Sequence, residues 1–114
     1  MSKYFDLKFH RSIHIHREKP LTEKETILHF SDVKDIHDWL EVTVYDEDKD
    51  HKYEFLGKVK IPLLKIRNSE RRWYSLKDKT LRKPAKGDHP QILLEMFFVY
   101  NKVIFKLDNA QIQV

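Results

Sequence analysis

Apolar and polar residues alternate through much of this chain, the spacing of strands that bury one face of a sheet. The segment Trp39–Tyr45 is rich in β-formers and sets Leu40, Val42 and Val44 on one face. Phe55–Ile61 is predicted as a second strand, closed by Pro62, which has no N–H to give to a ladder. Arg72–Leu76 reads as a short third. Gln91–Tyr100 is too apolar for a half-exposed strand and suits the core strand of a sandwich, with Val103–Leu107 as its continuation. Upstream, Thr26–Phe30 is a short strand joined to Trp39 by a turn region, Ser31–Asp38. Tyr4–Phe9 and Ser12–His16 are weaker strand candidates. No segment carries an i, i+3, i+4 stripe over three turns, so helices are not expected. Short strands separated by turns predict an all-β fold, an antiparallel β-sandwich, and 114 residues leave room for one core.

Composition narrows the class. With 40% hydrophobic and 12% aromatic residues the chain can fill a packed interior and is not a disordered segment. It has no cysteine, which excludes disulfides and thiolate metal sites and suggests a reducing, cytoplasmic setting. No apolar run approaches the roughly 18 residues needed to span a bilayer, and Met1–Asp6 lacks the apolar core of a secretory signal.

The net charge of +4 is unevenly placed. Lys65, Arg67, Arg71, Arg72, Lys77, Lys79, Arg82, Lys83 and Lys86 face only Glu70 and Asp78 in their stretch. From Glu41 to Gly57 the balance reverses, with Glu41, Asp46, Glu47, Asp48, Asp50 and Glu54 against Lys49 and Lys52. One acidic tip and one basic face suit a cation at the first and an anionic surface at the second. Ordinary solvated surface accounts for the same charges, and the pattern alone does not choose between the two.

Asp46-Glu47-Asp48-Lys49-Asp50 begins like an EF-hand loop, but the reading fails. His51 stands where glycine makes the sharp turn, Gly57 stands where a bidentate Glu belongs, and the flanks are strands. What remains is a loop between two strands with carboxylates at Asp46, Asp48 and Glu54. Such oxygens repel one another unless a cation sits between them.

Val44-Tyr45-Asp46-Glu47-Asp48 followed by Phe55-Leu56-Gly57-Lys58-Val59 closely resembles the third calcium-binding loop of C2 domains. The neighbouring stretches extend the resemblance. Lys34–Asp38 and Leu40–Tyr45 ahead of the loop, and Ile61–Leu64, Tyr74–Lys79 and Ile92–Asn101 behind it, resemble the last C2 repeat of the multiple-C2-and-transmembrane-domain proteins. The likeness covers about residues 26 to 104. It implies a domain core over residues 26–107, a divergent N-terminal segment over 1–25 with possible replacement strands, and a tail over 108–114.

The resemblance implies peripheral attachment to anionic phospholipid, with calcium bridging loop carboxylates and lipid phosphate. Carried over by position, Asp46 and Asp48 are the paired calcium ligands, and Glu54 stands where the family has a third aspartate. Residues 1–25 hold only one aspartate, Asp6, and no recognisable first calcium loop. Asp32, Asp35 and Asp38 cannot substitute, because strand 39–45, at roughly 3.3 Å per residue, holds them about 20 Å from Asp46. Half a cage supports at most an affinity on the order of 10⁻⁴–10⁻³ M. A calcium-free scaffold is the other expectation.

The implied lipid-binding face comprises Lys65, Arg67, Arg71, Arg72, Lys77, Lys79, Arg82 and Lys83. A missing first strand would also leave an open sheet edge and uncovered apolar surface, which makes a protein-interaction or self-association module the second reading. Zinc at His10, His14 and His16 lacks a supporting carboxylate, and exposed strand histidines explain the trio better. Trp39 and Trp73 read as core or sheet-face residues. No nucleophile–base pairing has motif context, so no enzyme is expected, and nothing beyond charge suggests nucleic acid.

Overall fold

A computed structural model describes residues 3–11, 15–20, 26–30, 33, 35–47, 50–66, 70–99 and 102–113. Eight strands form two antiparallel four-stranded sheets. They are β1 (Lys3–Phe9), β2 (Ile15–Pro20), β3 (Thr26–Phe30), β4 (Trp39–Glu47), β5 (Tyr53–Pro62), β6 (Glu70–Ser75), β7 (Gln91–Val99) and β8 (Lys102–Gln113). One sheet runs β2-β1-β4-β5 and the other β3-β8-β7-β6.

The alternation in sequence becomes two facing inner layers. Leu40, Val42 and Val44 of β4 are fully buried and lie opposite Phe9, Leu7 and Phe5 of β1. From the second sheet, Ile92, Leu94 and Met96 of β7 and Val103, Phe105 and Leu107 of β8 complete the core. Phe5 stacks on Phe105 across the layers at 6.0 Å between centroids. A buried aromatic of this kind removes about 150–250 Å² from water, so this contact joins the two sheets where the apolar driving force is largest.

Two expectations are corrected here. Val103–Leu107 does not prolong β7: the chain reverses, Val99 pairs with Lys102, and β8 returns antiparallel along β7. The inner row Leu94, Met96 and Phe98 therefore lies opposite Leu107, Phe105 and Val103. The open edge expected from a lost strand also lies elsewhere: the large apolar side chains left exposed among the described residues are Ile27, Ile36, Tyr53, Leu64 and Trp73. β8 sits between β3 and β7 and closes that sheet. Near the N-terminus, β1 is an interior strand between β2 and β4. The expected strand at Ser12–His16 becomes β2 from Ile15 onward, and residues 12–14 lie outside the described residues.

After Pro62 the chain makes one turn of 3-10 helix, Leu63–Lys65, closed by the Ile66 N–H donating to the Leu63 carbonyl. The long basic stretch after β6 is pinned rather than loose. Lys58 and Lys77 exchange both backbone hydrogen bonds, at 3.0 and 2.8 Å, and Ala85 N–H donates to the Leu76 carbonyl. Leu76 and Ala85 are buried by this arrangement.

Candidate functional site

The acidic tip lies where β4 leaves its sheet and β5 returns. Asp46 continues the inward row Leu40, Val42, Val44 beyond the end of the core. Glu54 is its register partner on β5, and Lys3 its partner on β1. A bulge makes this pairing. Val44 opposes Gly57 while Tyr45 opposes Phe55, so Leu56 is the extra residue and Glu54 turns onto the face of Asp46. Gly57 is required there because a Cβ would lie 2.7 Å from Cβ of Leu76.

Oδ1 of Asp46 is buried and accepts no hydrogen bond among the described residues. Its neighbour Glu47, on the outer face, is fully engaged. Tyr4 donates its hydroxyl to Glu47 Oε2 at 2.7 Å, and Glu47 Oε1 lies 2.9 Å from His51 Nδ1. His51 adopts a left-handed backbone, φ 58°, at the loop tip. The rings of Tyr4 and Tyr53 meet edge to face at 5.1 Å, and those of Tyr45 and Phe55 at 6.3 Å. The tip thus has an aromatic outer face and a carboxylate inner face.

Fit to a cation is partial. Asp46 and Glu54 are brought together with an orphaned oxygen between two strands, which suits a hard cation. Lys3 brings a positive charge to the same face and weakens that fit. Asp48 lies outside the described residues, and among those described no group of three His, Cys, Asp or Glu is arranged around a common point.

Asp35 and Asp38 lie at the opposite end of β4, as the strand length requires. Asp38 is completely buried, and its Oδ1 accepts from the N–H groups of Arg11 and Trp39, both at 2.7 Å. Asp35 accepts from the N–H of His37 and, at 2.9 Å, from the Arg11 guanidinium. These contacts, the backbone N–H first, hold its carboxyl below the usual value. The β1–β2 connection is at this same far end, since Phe9 pairs with Leu40. Of the histidine trio, His10 lies 3.7 Å from Glu41, and the side chains of His14 and His16 fall outside the described residues.

The basic residues do not form one face. Arg71 and Arg72 are successive on β6 and project to opposite sides of its sheet. Lys77 is held through its backbone between Lys58 and Pro84. Lys79 lies 5.4 Å from the Phe55 ring centre and, with Glu54, Leu56, Thr80 and Ala85, lines a groove of about 730 Å³ beside the tip. Arg82 and Lys83 are exposed in the same loop. Lys65 and Arg72 instead join Lys60, Ile61, Pro62 and Tyr74 around a cleft of about 260 Å³ at the far end of β5. Arg67 lies outside the described residues. Lys60 escaped the sequence reading, although its place in the alternation of β5 marked it as outward-facing.

A two-sheet sandwich with a carboxylate-bearing loop between β4 and β5 is the architecture of a known class. Residues 10–76, more than half the chain, match the C2 domain, and the chain belongs to that family. Among its relatives, the Multiple C2 and transmembrane domain-containing protein of Drosophila melanogaster is 51% identical over 85 residues, which is 75% of this chain and 9% of the relative. Multiple C2 and transmembrane domain-containing protein 1 of Homo sapiens is 55% identical over 71 residues, 62% of this chain and 7% of the relative. The second such protein of Mus musculus is 54% identical over 71 residues, 62% of this chain and 8% of the relative. The chain thus spans less than a tenth of the length of these relatives. Among the described residues no helix is long and apolar enough to cross a membrane.

Proposed function

We propose that this chain is a non-catalytic module that docks on anionic phospholipid at the cytoplasmic face of a membrane, with a weak calcium site at Asp46, Asp48 and Glu54. The observation that carries the reading is the buried, unpartnered oxygen of Asp46 opposite Glu54, beside a loop that exposes Lys79, Arg82 and Lys83. An orphaned carboxylate oxygen costs on the order of 1–3 kcal/mol, and a bound cation would remove that cost. Calcium, when bound, would neutralise the pair and offer open coordination positions to lipid phosphate. Lys3, on the same face as Asp46, limits the affinity. The exposed cations add about 1 kcal/mol each near an anionic surface, an attraction that salt screens.

Sedimentation with vesicles of phosphatidylcholine and phosphatidylserine tests this. Binding that weakens with added salt and strengthens with calcium over chelator is the expected result. Absence of binding, or indifference to salt, sinks the reading. A second reading, strand addition by a protein partner or a second copy, is favoured by β3, a five-residue edge strand with Ile27 47% exposed. Concentration-dependent self-association without lipid, lost in Ile27→Lys, would support it.

A further inference from the structure

Between β6 and β7 the chain makes a tight turn whose chemistry the docking role leaves unused. The Asp78 N–H donates to the Lys83 carbonyl at 2.8 Å, and the Leu81 N–H to the Asp78 carbonyl at 3.0 Å. Thr80 stands at the centre of this turn. Its N–H and its hydroxyl both donate to Asp78 Oδ1, at 3.0 and 2.6 Å, and its Oγ1 accepts the Arg82 N–H at 3.3 Å. The hydroxyl is the largest of the contacts that hold the Asp78 carboxyl below its usual value. One side-chain oxygen therefore links both arms of the turn.

That oxygen is also within reach of another protein. Thr80 is exposed, as are Lys79, Arg82 and Lys83 around it. Among the described residues Thr43 and Ser75 also carry hydroxyls, but they stand in β4 and β6, paired with β5 and β7. An enzyme that takes an extended segment into its cleft can open a loop tip far more readily than a paired strand. Opening this tip also relieves Leu81, held at φ 64° in the left-handed region that a branched side chain disfavours. The released strain offsets part of the hydrogen bonding lost. Lys77 and Lys79 precede Thr80, and Arg82 and Lys83 follow it, a pattern of flanking cations that complements an acidic substrate cleft.

We propose that Thr80 is a phosphorylation site for a serine/threonine protein kinase that selects basic flanks, and that the phosphate dismantles the turn around Asp78. In the transfer the Thr80 oxygen bonds to the γ-phosphorus of ATP and the bond from that phosphorus to the β-phosphate oxygen breaks. ADP leaves, and the hydroxyl proton passes to the base of the kinase. The new group carries about −1.5 to −2 charges at pH 7. Its Oγ1 has no hydrogen left to donate, so Asp78 loses that bond and meets a second anion in its place. Repulsion turns the phosphate away from Asp78 and toward the cations of Arg82 and Lys83. Those cations are ones the proposed docking on anionic lipid uses, so on that reading, and resting on it, the modification releases the loop from the membrane.

Incubation of the whole chain with magnesium, ATP and a kinase that selects basic flanks, followed by mass spectrometry, tests the site. Phosphate is expected on Thr80 and is lost in Thr80→Val. Arg82→Gln with Lys83→Gln is expected to slow its incorporation tenfold or more, and thermal melts verify that both variants fold. In NMR spectra of the modified chain the amides of residues 78–83 are expected to shift while those of β7 hold. Phosphate on other hydroxyls with Thr80 unmodified overturns the inference, as does a modified Thr80 that leaves those amides unmoved. Flotation on vesicles of phosphatidylcholine and phosphatidylserine at low salt reads the consequence. The modified chain is expected to bind tenfold or more weakly, from ~1 kcal/mol per charge at 1.4 kcal/mol per tenfold. Equal binding by the modified and unmodified chains overturns the release. An unmodified chain that binds no anionic vesicle removes the docking reading instead, and the mass spectrum and the amides then decide the site alone.

Discussion

Asp46 and Glu54 are register partners across β4 and β5, and the buried Oδ1 of Asp46 has no hydrogen bond among the described residues. Two acids directly opposite on one face of an antiparallel pair repel, a cost of roughly 0.2–1 kcal/mol in an exposed sheet. A buried carboxylate oxygen without a partner is locally unfavourable, and such conflicts concentrate at functional positions.

Asp46→Asn therefore has two effects of opposite sign. In chelator the stability of the variant is expected to stay within about 1 kcal/mol of the parent, because the repulsion with Glu54 and the attraction to Lys3 are removed together. Calcium-induced shifts of the amides of residues 46–55 in an NMR titration are expected to vanish. Lower stability in chelator together with an unchanged calcium response would show that Asp46 is a structural acid.

Phe105 tests whether β8 holds the domain together. It is fully buried, lies opposite Met96 in the sheet and stacks on Phe5 of the other layer. Phe105→Ala is expected to cost about 3–5 kcal/mol in chemical denaturation. A loss below 1 kcal/mol would mean that β8 frays and that the remaining strands carry the fold.

How far the sequence reached follows from what each element depends on. The β4–β5 hairpin was legible because its alternation is local: Leu40, Val42 and Val44 point inward whatever surrounds them. The acidic loop was legible for the same reason, its carboxylates being close in sequence. β8 was not, because Val103–Leu107 has the same apolar character as β7, and only the pairing of Val99 with Lys102 separates the two. The basic residues misled through continuity. A run of cations along the chain is not a face, and on β6 neighbours such as Arg71 and Arg72 must point apart. The cleft around Lys60, Lys65 and Arg72 depends on how two edge strands part, a relation between distant segments that no local pattern records.

Gly57 tests the bulge that aims Glu54 at Asp46. A methyl group there would meet Leu76 Cβ at 2.7 Å and Ala85 Cβ at 3.2 Å, so β5 and the basic loop would have to separate. Gly57→Ala is expected to cost about 1–3 kcal/mol. Because the loop carrying Lys79 packs there, its amides are expected to shift with the variant more than those of β7. A melting curve matching the parent's would mean that the loop yields without cost.

Acid sensitivity is the last expectation, and its sign is fixed by two carboxyls. Asp35 is held below 3.8 by the His37 N–H and the Arg11 guanidinium, and Asp78 by the hydroxyl and backbone N–H of Thr80. A carboxyl with a depressed folded value binds fewer protons folded than unfolded. The stability it contributes is present above the unfolded value, about 3.9, and is lost as the pH falls through the folded one. Both groups are exposed, so solvent and salt screen the effect and it is modest. Thermal midpoints of the parent are expected to fall more steeply below about pH 4 than those of Asp35→Asn combined with Asp78→Asn, and the difference should narrow in high salt. Parallel curves would show that the contacts of Asp35 and Asp78 set loop geometry without stabilising the folded chain.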